Sequence, residues 1–395
     1  DTHIHASQYP NVGAGLGVPL LEWLKEYTFP MERAFTLEQN VRMAQDVYSK
    51  VIQRTLRNGT TCASYFATID PKTTKLFTDL VLEEGQRAFI GKVCMDHNDM
   101  YPSYCESTEK SIETLEKIIE YIQDKCKAAR REGRRHQCIV APIITPRFAP
   151  SCSQELLELL GTLSQVQQLP IQTHIAENLK EIELMKELFP EFEDYASVYD
   201  HFKLLTERTV LAHAIHLTDR ECDIIKEKKC LISHCPTSNT FISLGEAPIR
   251  KYLKHGTNVG LGTDLIAGFD VLILEVMKNS ILVLHHLAMK KGDGVKLTIS
   301  EVLYMATQGG ARAVGLGDTI GTFQVGKQWD AQLINLDAPN SYIDVFEWQV
   351  PSDGEWRKME DLLGKWVFNG DDRNCEKVWV NGKLVIDKTD EWVLV

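Results

Sequence analysis

The chain has 395 residues and a formal net charge of -12 at pH 7. That length accommodates one large α/β barrel with an appendage, or two to three ordinary domains. The acidic balance argues against a protein that grips nucleic-acid polymers, which needs positive surface. No apolar run reaches the roughly 18 residues of a membrane span and no basic-then-apolar leader opens the chain, so neither a membrane partner nor a targeting segment is expected. Ten cysteines without a C-x-x-C spacing fit neither a disulfide framework nor a zinc ribbon. They point to a reducing, cytoplasmic compartment.

In chain order, short segments rich in β-formers recur: "DTHIHA", "TTCASYFAT", "RAFIGKVCM", "CIVAPIITPRF", "PIQTHIAE", "RTVLAHAIH", "KCLISHCPT" and "NVGLGTD". Between them run helical periodicities such as "SIETLEKIIEYIQDKC" and "SQELLELLGTLSQVQQL", and Thr218-x-x-Glu221 reads as a capping box. Eight β/α units over about 265 residues predict a (β/α)8 TIM barrel, an α/β fold. Thr298-x-x-Glu301 opens a further helix ahead of "VLYMATQGGARAVG". Beyond it "GTFQVGKQWDAQLINLD" and "EKVWVNGKLVID" alternate apolar and polar residues, with a hairpin signal at Asn381-Gly382. The expected layout is a catalytic barrel over residues 1–318 and, over 319–395, the C-terminal part of a small β-sandwich. Its strands are too few to close a sandwich, and the chain starts on a strand without Met. The sandwich is therefore expected to be incomplete and the sequence part of something longer. The terminal "VLV" reads as an ordinary apolar chain end rather than a ligand for a strand-addition domain.

Barrel enzymes place their chemistry at the C-terminal ends of the strands. Those ends carry His3 and His5, Arg147 and Phe148, His174 followed by Glu177, then His213, His234 and Asp264. A lone histidine at such a place is usually a hydrogen-bonded structural residue, but five of them with two carboxylates on one rim predict a metal centre. Imidazole nitrogen with one carboxylate suits a single Zn2+ most simply, with Fe2+ as the alternative. The expected ligands are His3, His5, His174 and Asp264. His213 is expected beside the metal's water, and His234 is left to position neighbours or substrate. Cys235, with no base beside it in sequence, reads as a packed thiol rather than a nucleophile. Such a metal turns water into a hydrolytic nucleophile. Glu177, three residues beyond His174, is placed to pass a proton to the substrate while Asp264 accepts the water's proton. The competing expectation for Glu177 is a carboxylate at the start of the next helix.

The order His-x-His, His-x-x-Glu, His and Gly-x-Gly-Thr-Asp resembles the amidohydrolase superfamily, and within it the mononuclear aminohydrolases. Narrower stretches are similar to the guanine deaminase family: "PLLEWLKEYTFPMERAF", "NGTT", "ITPRFAPSCS", "THIAEN", "SHCPTSN" and "GDDRN". The resemblance implies hydrolytic deamination of free guanine to xanthine and ammonia with one Zn2+ per chain on His3, His5, His174 and Asp264. It also implies a base pocket shaped by Gln8, Arg147 and Phe148 together with His174 and Glu177, proton transfers by Glu177 and His213, and a homodimer. Dinuclear relatives present a Lys at the end of strand four, where this chain reads "TPRF". The nucleobase deaminases of the other fold use H-x-E with P-C-x-x-C, absent here. The competing expectations are another mononuclear deaminase acting on an adenine, cytosine or triazine ring, and a non-catalytic barrel scaffold.

Overall fold

The computed structural model describes residues 1–133, 138–265 and 268–389; the "VLV" end, residues 393–395, lies outside them. Barrel strands follow in chain order: β1 (Ile4–His5), β2 (Cys62–Phe66), β3 (Arg87–Gly91) continued by β4 (Val93–Cys94), β5 (Val140–Pro142) continued by β6 (Thr145–Pro146), β7 (Ile171–Ile175), β8 (Thr209–His213), β9 (Leu231–His234) and β10 (Val259–Leu261). All pairs among them are parallel, in the orders β1-β2-β3-β5, β4-β6 and β10-β9-β8-β7. Two seams close the ring. On one side Thr2 N donates to Leu261 O and Asp264 N to His3 O, both at 2.9 Å. On the other, Ile144 bridges Ile171, and Gln172 N donates to Ile144 O at 2.9 Å. The eight expected strand segments are these strands, the third and fourth each split in two. The fourth splits after Pro142, which has no N–H to give a ladder.

Strands β7 and β8 are buried at every position, which is why neither shows the apolar–polar alternation of a half-exposed strand: β8 reads TVLAH, and β7 buries Gln172, Thr173 and His174 as well as its isoleucines. Surrounding helices turn one stripe inward: Val41–Arg57 buries Val47, Tyr48, Val51, Ile52 and Leu56. Both expected capping boxes form. Glu221 N donates to Thr218 Oγ1 at 3.2 Å and Thr218 N to Glu221 Oε2 at 2.8 Å, and the Thr298–Glu301 pair repeats the same two distances.

The tail contributes an antiparallel sheet, β11 (Ala331–Ile334), β12 (Cys375–Val380) and β13 (Lys383–Asp387), with Asn381 (φ 48°) and Gly382 (φ 81°) making the left-handed hairpin turn. Among the described residues this is a single three-stranded sheet, and "GTFQV" is not a strand of it. A helix, Trp356–Asn369, stands between β11 and β12, where the sequence reading placed no element. Arg87, at the base of β3, donates to both oxygens of Asp330 at 2.8 and 2.9 Å and ties sheet to barrel through a buried pair.

Candidate active site

Every rim residue singled out in the sequence is buried: His3, His5, Gln8, Arg147, Phe148, His174, Glu177, His213, His234 and Asp264. His5 on β1 and His3, the residue just before β1, lie two positions apart along an extended run and share a face. Their strand can lie tight against β10 because Gly262 has no side chain: a Cβ there would sit 2.8 Å from His3 Cβ and 2.6 Å from Ser233 Oγ. Asp264 and His213 are held with φ of +54° and +68°, a region that non-glycine residues rarely occupy and that collects at functional sites.

The side chains converge. Asp264 Oδ1 lies 3.1 Å from His3 Nε2 and 3.6 Å from His5 Nε2, and Asp264 Oδ2 lies 3.7 Å from His213 Nε2. His5 Nε2 faces His174 Nε2 at 3.1 Å, and Glu177 Oε1 stands 3.6 Å from His213 Nε2. One ligand atom each from His3, His174, His213 and Asp264 falls within 4.8 Å of the others. This foursome contains His213, and His5 stands beside it through His174 and Asp264.

The outer ring nitrogens fix which atoms face inward. His174 Nδ1 donates to Arg147 O at 2.6 Å and His213 Nδ1 to Asn239 Oδ1 at 2.9 Å, so the Nε2 lone pair of each is turned to the cluster. His3 Nε2 and His213 Nε2 are buried without a hydrogen-bond partner among the described residues. Unprotonated imidazoles, orphaned inward nitrogens and one carboxylate form a donor set that fits a divalent cation. Burial, then the neighbouring imidazoles, drives His5 and His174 well below the usual histidine range. Burial alone would raise Asp264, but His3, His213 and His5 outweigh it and hold the carboxyl well below its ordinary value. Glu177 goes the other way. Burial first, then the charge of Asp264, pushes it well above the carboxylate range.

A small cavity of about 30 Å3 opens beside the cluster, lined by His5, Gln8, Arg147, Phe148, His174, Glu177 and Asp264, and by the apolar side chains of Leu20, Trp23 and Leu24. The motif "PLLEWL" thus supplies its apolar lining, a role its pattern alone did not announce. Sequence reasoning also missed Asp1, whose carboxylate accepts from Thr263 N (3.1 Å), Thr263 Oγ1 (2.6 Å) and His3 N (3.3 Å). It missed Glu181 too, which accepts from Glu177 N at 2.8 Å and Tyr195 Oη at 2.6 Å. The helix Leu179–Leu188 is N-capped by Asn178, not by Glu177. His234 is buried with both ring nitrogens unpaired among the described residues and is pushed down to about 3 by burial and by His213. Burial and then Asp264 raise the Cys235 thiol well above its usual value, as a packed thiol requires.

The model of the amidohydrolase family matches residues 1–385. The chain belongs to the amidohydrolase family. This amidohydrolase is 48% identical to the probable guanine deaminase of Schizosaccharomyces pombe, over 98% of its own length and 70% of that protein's. It is 43% identical to the guanine deaminase of Homo sapiens, over 98% of its length and 81% of that protein's. Among solved structures it superposes on the guanine deaminase of C. acetobutylicum with bound guanine in the active site, with a TM-score of 0.87, 36% identity and coverage of 98% and 85% of the two chains. These likenesses run through the barrel and the C-terminal sheet alike.

Proposed function

We propose that this amidohydrolase deaminates guanine hydrolytically to xanthine and ammonia, working in the cytoplasm as a homodimer with one zinc ion per chain. The observation that carries the reading is the placement of a fixed cationic donor, Arg147, and a two-way amide, Gln8, on the same small cavity as the histidine–aspartate cluster. His3, His5, His174 and Asp264 would hold the zinc, with His213 alongside. Bound there, zinc supplies the Lewis acidity that makes water a nucleophile near neutral pH.

The protein's own groups do the rest. Phe148 offers an apolar face to the ring, Arg147 donates to the carbonyl at C6, and Gln8 pairs with the ring edge. Asp264, held as a carboxylate, takes a proton from water as its oxygen adds to C2. Glu177, held protonated, gives its proton to N3. The C2–N bond then breaks, the proton held by Asp264 leaves with ammonia, and C2 becomes the second carbonyl of xanthine while Glu177 recovers the proton of the new hydroxyl. His213 Nε2 lies 3.6 Å from Glu177 and 3.7 Å from Asp264, within reach to serve the proton transfers between them. Ammonia release from guanine, adenine, cytosine and a triazine, measured beside the metal content of the purified protein, tests the reading. Turnover preferring any base but guanine overturns it.

A further inference from the structure

The residues assigned to base recognition do not orient themselves. Gln8 and Arg147 converge on one carboxylate, Glu32, which lies fully buried on the helix Phe29–Phe35. Gln8 Nε2 donates to Glu32 Oε1 at 2.5 Å, and Arg147 Nη1 donates to Glu32 Oε2 at 2.6 Å. The ring of Phe29, one turn earlier on that helix, lies 5.1 Å from the Arg147 guanidinium carbon, so two side chains of one helix face hold the arginine. Nothing else in the sequence linked these positions: Glu32 is 24 residues from Gln8 and 115 from Arg147.

We infer that Glu32 is the positioning residue that sets the donor–acceptor polarity of the base pocket and thereby its choice of purine. The inference rests on the guanine reading above. An ionised carboxylate accepts hydrogen bonds and never donates. Facing Glu32, the Gln8 side chain must present its NH2 to the carboxylate, which turns its carbonyl oxygen to other partners. Arg147 spends one N–H on Glu32 and keeps donors for a ligand. The pocket then carries a donor from Arg147 next to an acceptor from Gln8. Guanine offers the complement along one edge, the C6 carbonyl oxygen beside N1–H. Adenine offers the reverse, an amine beside an unprotonated N1, so it meets donor with donor and acceptor with acceptor. Without Glu32 the Gln8 amide is free to turn over and that distinction is lost.

Steady-state kinetics on guanine and adenine with wild type, Glu32→Gln and Glu32→Asp, each checked for metal content and melting temperature, test this. Glu32→Gln should lower kcat/KM for guanine chiefly through KM and leave the inhibition constant of adenine, which has no amine at C2 to lose, unchanged or improved, so that the guanine-to-adenine preference falls by on the order of 100-fold. Glu32→Asp keeps the charge on a shorter arm and should fall between. The double variant Glu32→Gln with Gln8→Glu restores an obligate acceptor at position 8 and should recover part of the preference, which a purely structural role does not predict. Should Glu32→Gln fail to fold, the aspartate and double variants carry the test. Metal-loaded, folded variants with the wild-type preference overturn the role of Glu32 alone. A metal-loaded wild type inactive on guanine overturns the guanine reading itself, and this inference with it.

Discussion

Replacing Glu177 with Gln removes one proton and almost nothing else. The backbone amide of Glu177 would still donate to Glu181 Oε2 at 2.8 Å, and the following helix would still be capped by Asn178. The amide is isosteric with the carboxyl and can hydrogen-bond to the ring nitrogen, so KM for guanine should stay within about threefold of wild type. What it cannot do is give a proton up and take it back. Burial and the neighbouring Asp264 charge raise the wild-type carboxyl well above the carboxylate range, towards the protonated form the first step needs. A positioned acid or base is worth roughly 10² to 10⁴ in rate, or about 3 to 5 kcal/mol of barrier. The variant should therefore bind metal at the wild-type level and release ammonia from guanine at least about a hundredfold more slowly at saturation. Single-turnover ammonia release, with metal analysis of the same sample, separates lost chemistry from lost metal. A metal-loaded Glu177→Gln enzyme with wild-type turnover would refute the proton-transfer role.

Three further outcomes are expected. His3→Ala or Asp264→Ala should lose metal and activity together, and a wild type holding two metals per chain, or fully active after exhaustive chelation, contradicts the single-ion reading. Arg147→Lys should reduce kcat/KM for guanine by on the order of 100-fold although the charge is kept, because an ammonium cannot serve Glu32 and the base at once with a planar fork; unaltered guanine kinetics speak against it. Glu301 is pulled down to about 2, first by its hydrogen bond from Arg250, so its contribution to stability is complete above its ordinary value of 4.5 and fades as pH falls towards 2. The group is partly exposed, so Glu301→Gln should cost about 1 kcal/mol at pH 7; urea midpoints compared from pH 7 to pH 2 should converge at the acid end, and a constant gap shows another cause.

The rim was legible because strand chemistry is local. His3 and His5 share a face by two-residue spacing, and the eight strand segments announce themselves by apolar runs between capped helices. Glu32 was not legible for the opposite reason. In "TFPMERAF" it is one charge on a short amphipathic turn, and only the fold brings it against residues 24 and 115 positions away. Leu20 and Trp23 stood out only as part of a stretch similar to the guanine deaminase family, with no role attached, and they are buried. What distinguishes them is the cavity they line, a tertiary fact. The helix Trp356–Asn369 escaped because the alternating segments on either side of it set the expectation of strands throughout the tail. The ligand set was harder to apportion than the site was to detect: five imidazoles on one rim mark a candidate metal site, but whether His5 or His213 completes a foursome depends on ångström-scale geometry that spacing does not encode.

The strained backbone at His213 and Asp264 connects the fold's energetics to its chemistry. Left-handed conformations at non-glycine residues cost on the order of 1 to 3 kcal/mol each, and both fall on residues whose side chains face the cluster. An ordinary extended strand end would carry the side chain at 264 outward along the ladder, whereas the reversed φ turns Asp264 back over the barrel mouth, 3.1 Å from His3. The surrounding bonds hold it there. Asp264 N donates to His3 O at 2.9 Å, and the preceding Thr263 is clamped by the Asp1 carboxylate through both its amide and its hydroxyl. Asp1 also accepts from His3 N. One carboxylate thus fixes the first and last strands of the barrel at the point where each contributes to the centre. The closure of the ring and the assembly of the site are for that reason a single structural event: a chain that fails to seat β1 against β10 loses His3, His5 and Asp264 together.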